Sequence, residues 1–323
     1  MSLEIIRCNF CAFRCRIAPG KSGRCGIRRN LNNKIVTINY GDVTALAVDP
    51  IEKKPLYHFL PGSQALSVAL AGCNFTCQFC QNQHISQKEY FYKLQTTKLS
   101  PEDLAEKQSQ TQTPVVAYTY SEPTVWRDYM LDSAKLLKSK GVKNVMITNG
   151  FFSKETLEET EKQIDGFNID LKGDNNFYKT YCRGEVDPVL RSIKHIAKNP
   201  NKVLEVTTLL IEKRHKMDEI MRLGEFLEKS NVKVWHLSRF YPCYKMIDIP
   251  ATTEEFLLDV LTKIKSNFNI PHIYAGNSNL EEYNQTICPK CGRLLIKRSG
   301  WSIVENNLIN GKCTCGHELY GQF

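Results

Sequence analysis

Residues 65–80 read ALSVALAGCNFTCQFC, and this stretch decides the fold. Its first seven residues form an apolar run of strand length, broken only by Ser67, the pattern of a strand buried on both faces. The run stops at Gly72 and gives way at once to Cys73, Cys77 and Cys80. Reactive side chains directly after a buried strand are what parallel α/β sheets carry at the carboxyl ends of their strands.

Downstream the pattern repeats. Residues 114–120, 144–148, 166–171, 203–211, 232–237 and 270–274 are strand candidates, rich in β-branched and aromatic residues and bounded by Gly, Pro, Asn or Asp. Helix patterns lie between them. Ser100 precedes Pro101 and Asp103, Ser153 precedes a Glu-rich turn, and Thr252 with Glu255 reads as a capping box. Met217, Ile220, Met221, Gly224 and Leu227 share one helical face. This alternation predicts an α/β fold with a parallel sheet, either open and doubly wound or a partial or full barrel. Polar residues recur at the strand ends: Ser121-Glu122-Pro123, Thr148-Asn149-Gly150, Asp170-Leu171-Lys172, Ser238-Arg239 and Gly276-Asn277.

Working outward, residues 1–62 read as a cysteine-bearing extension with strand-like stretches at 34–39 and 43–48. Residues 63–285 form the alternating core, and 286–323 a short tail. Eleven of the 13 cysteines fall into three groups: Cys8/Cys11/Cys15/Cys25, Cys73/Cys77/Cys80 and Cys288/Cys291/Cys313/Cys315. Cys182 and Cys243 stand apart and read as small buried hydrophobes. Residues 1–10 lack the apolar stretch of a signal peptide, and no apolar run is long enough to span a bilayer. The expectation is a cytoplasmic protein, with no membrane contact, whose clustered cysteines bind metals rather than pair as disulfides.

The net charge of +9 lies entirely in the two flanks, with 10 Lys/Arg against 4 Asp/Glu in 1–62 and 5 against 2 in 286–323. A nucleic-acid surface is one reading. The plainer one is that Arg14, Arg16, Arg24, Lys290 and Lys312 offset thiolates that carry negative charge when metal is bound.

Three cysteines spaced four and then three residues apart can wrap one loop around three corners of a [4Fe–4S] cube. Ordinary clusters use four cysteines. The next one along the chain is Cys182, so the fourth iron would stay open to a substrate group. Zinc, with His84 as fourth ligand, is the other reading. This motif after the first core strand, with Phe79 before the last cysteine, resembles the radical S-adenosylmethionine (SAM) superfamily. The resemblance implies a partial or full (β/α) barrel, a [4Fe–4S] cluster and SAM as cofactor. It implies an oxidoreductase in which reductive cleavage of SAM yields a 5′-deoxyadenosyl radical that abstracts hydrogen from a substrate. It also implies an electron donor such as flavodoxin or ferredoxin.

Cys80-Gln81-Asn82 and the motifs at 121–123, 148–150 and 170–172 look like elements of pyruvate formate-lyase activating enzymes. The whole chain is similar to the radical SAM members of the AmmeMemoRadiSam system. That similarity runs from the leader cysteines through DPIEKKPLYHF (49–59), PGS (61–63), YTYSEPT (118–124) and SRFYP (238–242) to the terminal cysteine pairs. By this resemblance Ser121 and Glu122 lie near the amino group of SAM, and Thr148, Asn149, Asp170 and Lys172 near its ribose and carboxylate. Asp170–Lys172 also reads as a surface ion pair, and Glu122 as a helix N-terminal acid.

The leader's four cysteines suit zinc or a second iron–sulfur cluster. The tail resembles a zinc ribbon. Its last knuckle, Cys313-Thr314-Cys315, has one intervening residue where two are expected, and His317 is a substitute ligand. Candidate substrates are a glycyl-radical protein, a small molecule or protein of the AmmeMemoRadiSam system, or an RNA base. A rival of another class is a non-catalytic zinc-binding adaptor for protein or nucleic acid.

Overall fold

The computed structural model describes residues 4–323. Nine strands form the central sheet: β1 (Asp42–Pro50), β2 (Gln64–Leu70), β3 (Thr97–Lys98), β4 (Val115–Tyr118), β5 (Lys143–Thr148), β6 (Gly166–Asp170), β7 (Val203–Leu210), β8 (Val234–Arg239) and β9 (His272–Gly276). Six helices fill the crossovers: α1 (Pro101–Thr111), α2 (Arg127–Ser139), α3 (Lys154–Gln163), α4 (Asp187–Ile196), α5 (Met217–Lys229) and α6 (Glu254–Asn267). No helix among the described residues is long and apolar enough to cross a membrane.

Side by side the strands run β9-β8-β7-β6-β5-β4-β2-β1-β3. β2 and β4 through β9 are parallel, while β1 runs antiparallel to both β2 and β3. A doubly wound sheet reverses its order once and carries helices on both faces. Here β4 and every later strand join the same edge, and right-handed crossovers then place the helices on one face of a curling sheet. The result is a partial (β/α) barrel.

Local signals explain the helix starts. Ser100 accepts from Asp103 N while Asp103 accepts from Ser100 N, a complete capping box. Ser100→Ala should lower stability by about 1 kcal/mol in urea denaturation. Ser153 caps α3 through Thr156 N. The box expected at Thr252/Glu255 is displaced by one residue, because Thr253 accepts from Phe256 N. Thr252 is fully buried, and its hydroxyl donates to Leu210 O (2.6 Å) and accepts from Glu212 N (3.2 Å). The end of β7 has therefore taken the oxygen that a cap would need. The last two strands also start two residues later than their patterns suggest; for β8 this is because Val232 N closes the turn after α5 on Leu227 O.

The flanking segments clasp the amino ends of the strands. Glu205 in β7, fully buried, accepts from Tyr57 N (3.0 Å) and His58 N (2.7 Å) and meets His236 Nε2 at 2.6 Å. His58 bridges Tyr320 O and Tyr274 Oη, each at 2.7 Å. Arg298 of the tail donates to Tyr57 O (2.9 Å) and Thr286 Oγ1 (2.8 Å). Burial holds His58 well below its ordinary range and pushes His272, whose ring lies against it, down to about 4. Unfolded histidines ionise near pH 6.5, so the unfolded chain takes up these protons first as pH falls. Stability should therefore drop between about pH 6.5 and 4, read as falling urea midpoints across that window.

Candidate functional site

The loop after β2 turns sharply at Gly72, where φ is +115° and a Cβ would sit 2.3 Å from Ile27 Cγ1, so only glycine fits. Gly72 O accepts from Glu122 N (3.0 Å), pinning the loop to the end of β4. Cys73 Sγ receives Phe75 N at 3.4 Å, and Asn149 Nδ2 lies 3.8 Å away. Thr76 N and Gln78 N donate to Cys182 O (3.1 Å) and Tyr181 O (2.9 Å). The cysteine loop is thus held from the ends of β4 and β5 and from the turn after β6.

Burial pushes the Cys73 thiol well up and Cys80 to about 11. Cys77 is also raised, first by a hydrogen bond with the Cys182 thiol and then by burial. Thiols so disfavoured as bare anions become stable thiolates only against a cation, which suits an iron cluster. Amide donors aimed at sulfur, here from Phe75 and Asn149, are the further feature such clusters use. The residues fit the group.

Glu122 is 2% exposed. Its Oε1 accepts from Thr124 N (3.0 Å), Thr124 Oγ1 (2.6 Å) and Thr148 Oγ1 (2.8 Å), and its Oε2 from Asn149 N (2.8 Å). Burial pushes its carboxyl up while these bonds pull it down. Ser121 Oγ donates to Leu70 O and accepts from Trp126 Nε1 (2.9 Å). Lys172 Nζ pairs with Asp170 at 2.7 Å on a partly buried rim and lies 6.0 Å from the Phe79 ring centre. Burial opposes its charge, but Asp170, Cys77 and Cys182 outweigh that and hold its ammonium above the ordinary range. Phe79 also packs on Phe177, with ring centres 5.7 Å apart.

Two residues read as isolated belong here. Cys182 is fully buried against Cys77, and Cys243 Sγ donates to Phe79 O at 3.3 Å. Both lie far along the chain, so no spacing pattern marks them.

Elsewhere, Sγ atoms of Cys288, Cys291, Cys313 and Cys315 all lie within 4.8 Å of one another and can hold a metal ion. Cys288–Cys315 is 3.7 Å and Cys291–Cys313 is 3.6 Å, so the short knuckle reaches without His317. Cys8, Cys11, Cys15 and Cys25 line one pocket with Asn74 of the central loop.

The profile of the Radical SAM superfamily matches residues 68–224. The chain is 38% identical to the uncharacterized protein MJ0808 of Methanocaldococcus jannaschii, over 97% of this chain and 95% of that one. It is 29% identical to the putative glycyl-radical enzyme activating enzyme MJ1632 of the same organism, over 51% of this chain and 63% of that one. Among solved structures it shares its fold with Streptococcus suis SuiB bound to S-adenosylmethionine (TM-score 0.52, 14% identity, 74% of this chain and 55% of that chain). Superfamily membership implies a [4Fe–4S] cluster and SAM. With the three-cysteine loop at a strand end of a partial barrel, these matches establish that the chain belongs to the radical SAM superfamily of enzymes.

Proposed function

We propose that Cys73, Cys77 and Cys80 hold a [4Fe–4S] cluster whose fourth iron is open to SAM, and that the enzyme takes hydrogen from a glycyl residue of a partner protein. The carrying observation is the buried three-thiol loop at the end of β2, surrounded by the polar ends of β4, β5 and β6. When bound, the cluster supplies one electron that splits SAM into methionine and a 5′-deoxyadenosyl radical. Asp170 and Lys172 would take the ribose and carboxylate, with Asn149 beside them. Ser121 and Glu122 shape the amino-group end, where Glu122 fixes Thr148 and Asn149 by the hydrogen bonds above. Phe79 walls the loop side.

In this reading residues 1–62 are a metal-binding extension, 63–285 the radical SAM core and 286–323 a zinc module. The tail's sulfur spacing supports zinc, because bonds of about 2.3 Å place tetrahedral ligands about 3.8 Å apart. A flavodoxin or ferredoxin in the reducing cytoplasm would supply the electron. Cys182 touches Cys77 from outside the loop's ligand set, so Cys182→Ser should leave iron content and SAM cleavage unchanged. Loss of either would make Cys182 a fourth ligand and close the open iron.

The glycyl substrate is supported by kinship with the putative activating enzyme. The test uses a candidate glycyl-radical protein grown on α-deuterated glycine, incubated anaerobically with enzyme, SAM and dithionite. Deuterium in 5′-deoxyadenosine and a glycyl doublet in the EPR spectrum are expected. Unlabelled 5′-deoxyadenosine with no doublet would reject this substrate, and label arriving from deuterated RNA would move the substrate to nucleic acid.

A further inference from the structure

The leader and tail each bring together four thiols, but in different ways. In the tail all four sulfurs close to within 4.8 Å, as ligands of a single ion must. Among the described residues neither Cys8/Cys11/Cys15/Cys25 nor Cys73/Cys77/Cys80 closes that far. The leader thiols instead line one pocket together with Phe10, Ile17 and Val125. Sulfurs that share a pocket without converging on a point suit a body several atoms across, bound at its corners.

Unused donors line the same pocket. Arg28 is 2% exposed and pairs with Asp128 through Nη1 (2.8 Å), while its Nε and Nη2 have no partner. Asn74 is 1% exposed, and its Oδ1 accepts from Asn149 Nδ2 at 2.7 Å, which orients the amide. Its Nδ2 has no oxygen or nitrogen acceptor and faces the Cys11 thiol. Buried donors left unmatched cost stability unless a ligand accepts from them. A cluster offers inorganic sulfides as well as thiolates, and so more acceptors than a lone zinc ion with four thiolates.

We infer that Cys8, Cys11, Cys15 and Cys25 hold a second [4Fe–4S] cluster rather than zinc, and that Asn74 links it to the cluster at Cys73. Asn74 directly follows Cys73, whose Sγ lies 3.8 Å from Asn74 Oδ1, so one side chain separates the two sulfur sets. The metal identity is independent of the proposed core cluster; the electron link rests on it. A reduced ferredoxin- or flavodoxin-class donor adds one electron to the leader cluster, taking its core from 2+ to 1+. Transfer of that electron reduces the second cluster from 2+ to 1+ and returns the first to 2+, with no atom or proton moved.

The test is metal and sulfide analysis of the full chain after anaerobic reconstitution. Parental protein should hold about eight iron and eight sulfide. Cys73→Ala/Cys77→Ala/Cys80→Ala should keep about four of each, with an S = 1/2 EPR signal on dithionite reduction. Cys8→Ser/Cys25→Ser should lose the complementary half. Absence of iron from the triple variant, with zinc at about two per chain, would overturn the inference and leave the core reading intact. Retention of all the iron in the triple variant would instead overturn the core reading. Asn74→Leu keeps the shape but removes the amide donor, and should shift the leader cluster's reduction potential downward in an EPR-monitored titration. An unchanged potential would remove Asn74 from the link.

Discussion

Cys77→Ala should reduce dithionite-driven release of 5′-deoxyadenosine to that of an enzyme-free control. Cys77 lies in the middle of the loop, 8% exposed and packed within the main core. A cluster with one open iron has only three protein ligands, so losing one leaves two and a labile assembly. The neighbouring Cys182 offers a sulfur from the turn after β6, yet that turn is tied to the loop backbone by Thr76 N and Gln78 N. Those bonds fix the Cys182 backbone in place, so its thiol meets the loop from outside the three-cysteine motif. Liquid chromatography of the quenched reaction checks this, and Cys182→Ser is the matched control.

Glu205→Ala should cost about 3–5 kcal/mol, to be read from the urea midpoint, the usual loss when one partner leaves a buried polar cluster. The substitution strands Tyr57 N, His58 N and His236 together, and each unsatisfied buried donor costs about 1–3 kcal/mol. Glu205 is fully buried beneath residues 57–58, so the stranded donors lie away from solvent. Glu205→Gln keeps one carbonyl oxygen and should cost less. Tail contacts through Tyr320 and Arg298 loosen with the clasp, so release of the tail by limited proteolysis should accompany the loss of stability.

The elements most legible in the sequence were those with an uninterrupted pattern. The run at 65–71 became β2, and the 217–227 face became part of α5, because apolar periodicity and burial agree there. The choice between a doubly wound sheet and a barrel was not legible, since strand order depends on where each crossover returns and not on any one segment. Thr252 and Thr253 are chemically equivalent as caps, and only the approach of β7 decides between them. The string at 49–59 was one of the stretches behind the family resemblance, and its contacts are architectural. Asp49 binds Lys53 (2.7 Å) and Lys54 (2.6 Å), Glu52 accepts from Gly62 N (2.9 Å), and Tyr57 and His58 meet Glu205. Cys182 and Cys243 show the opposite limit: residues joined only by the fold leave no spacing to read.

One-electron cleavage of SAM is the activity proposed for this chain. The anaerobically reconstituted 323-residue chain, given SAM and dithionite, should release 5′-deoxyadenosine and methionine in equal amounts, with none from Cys77→Ala. Protein carrying its full iron and sulfide that releases neither product, or zinc bound at Cys73, Cys77 and Cys80, would contradict the account.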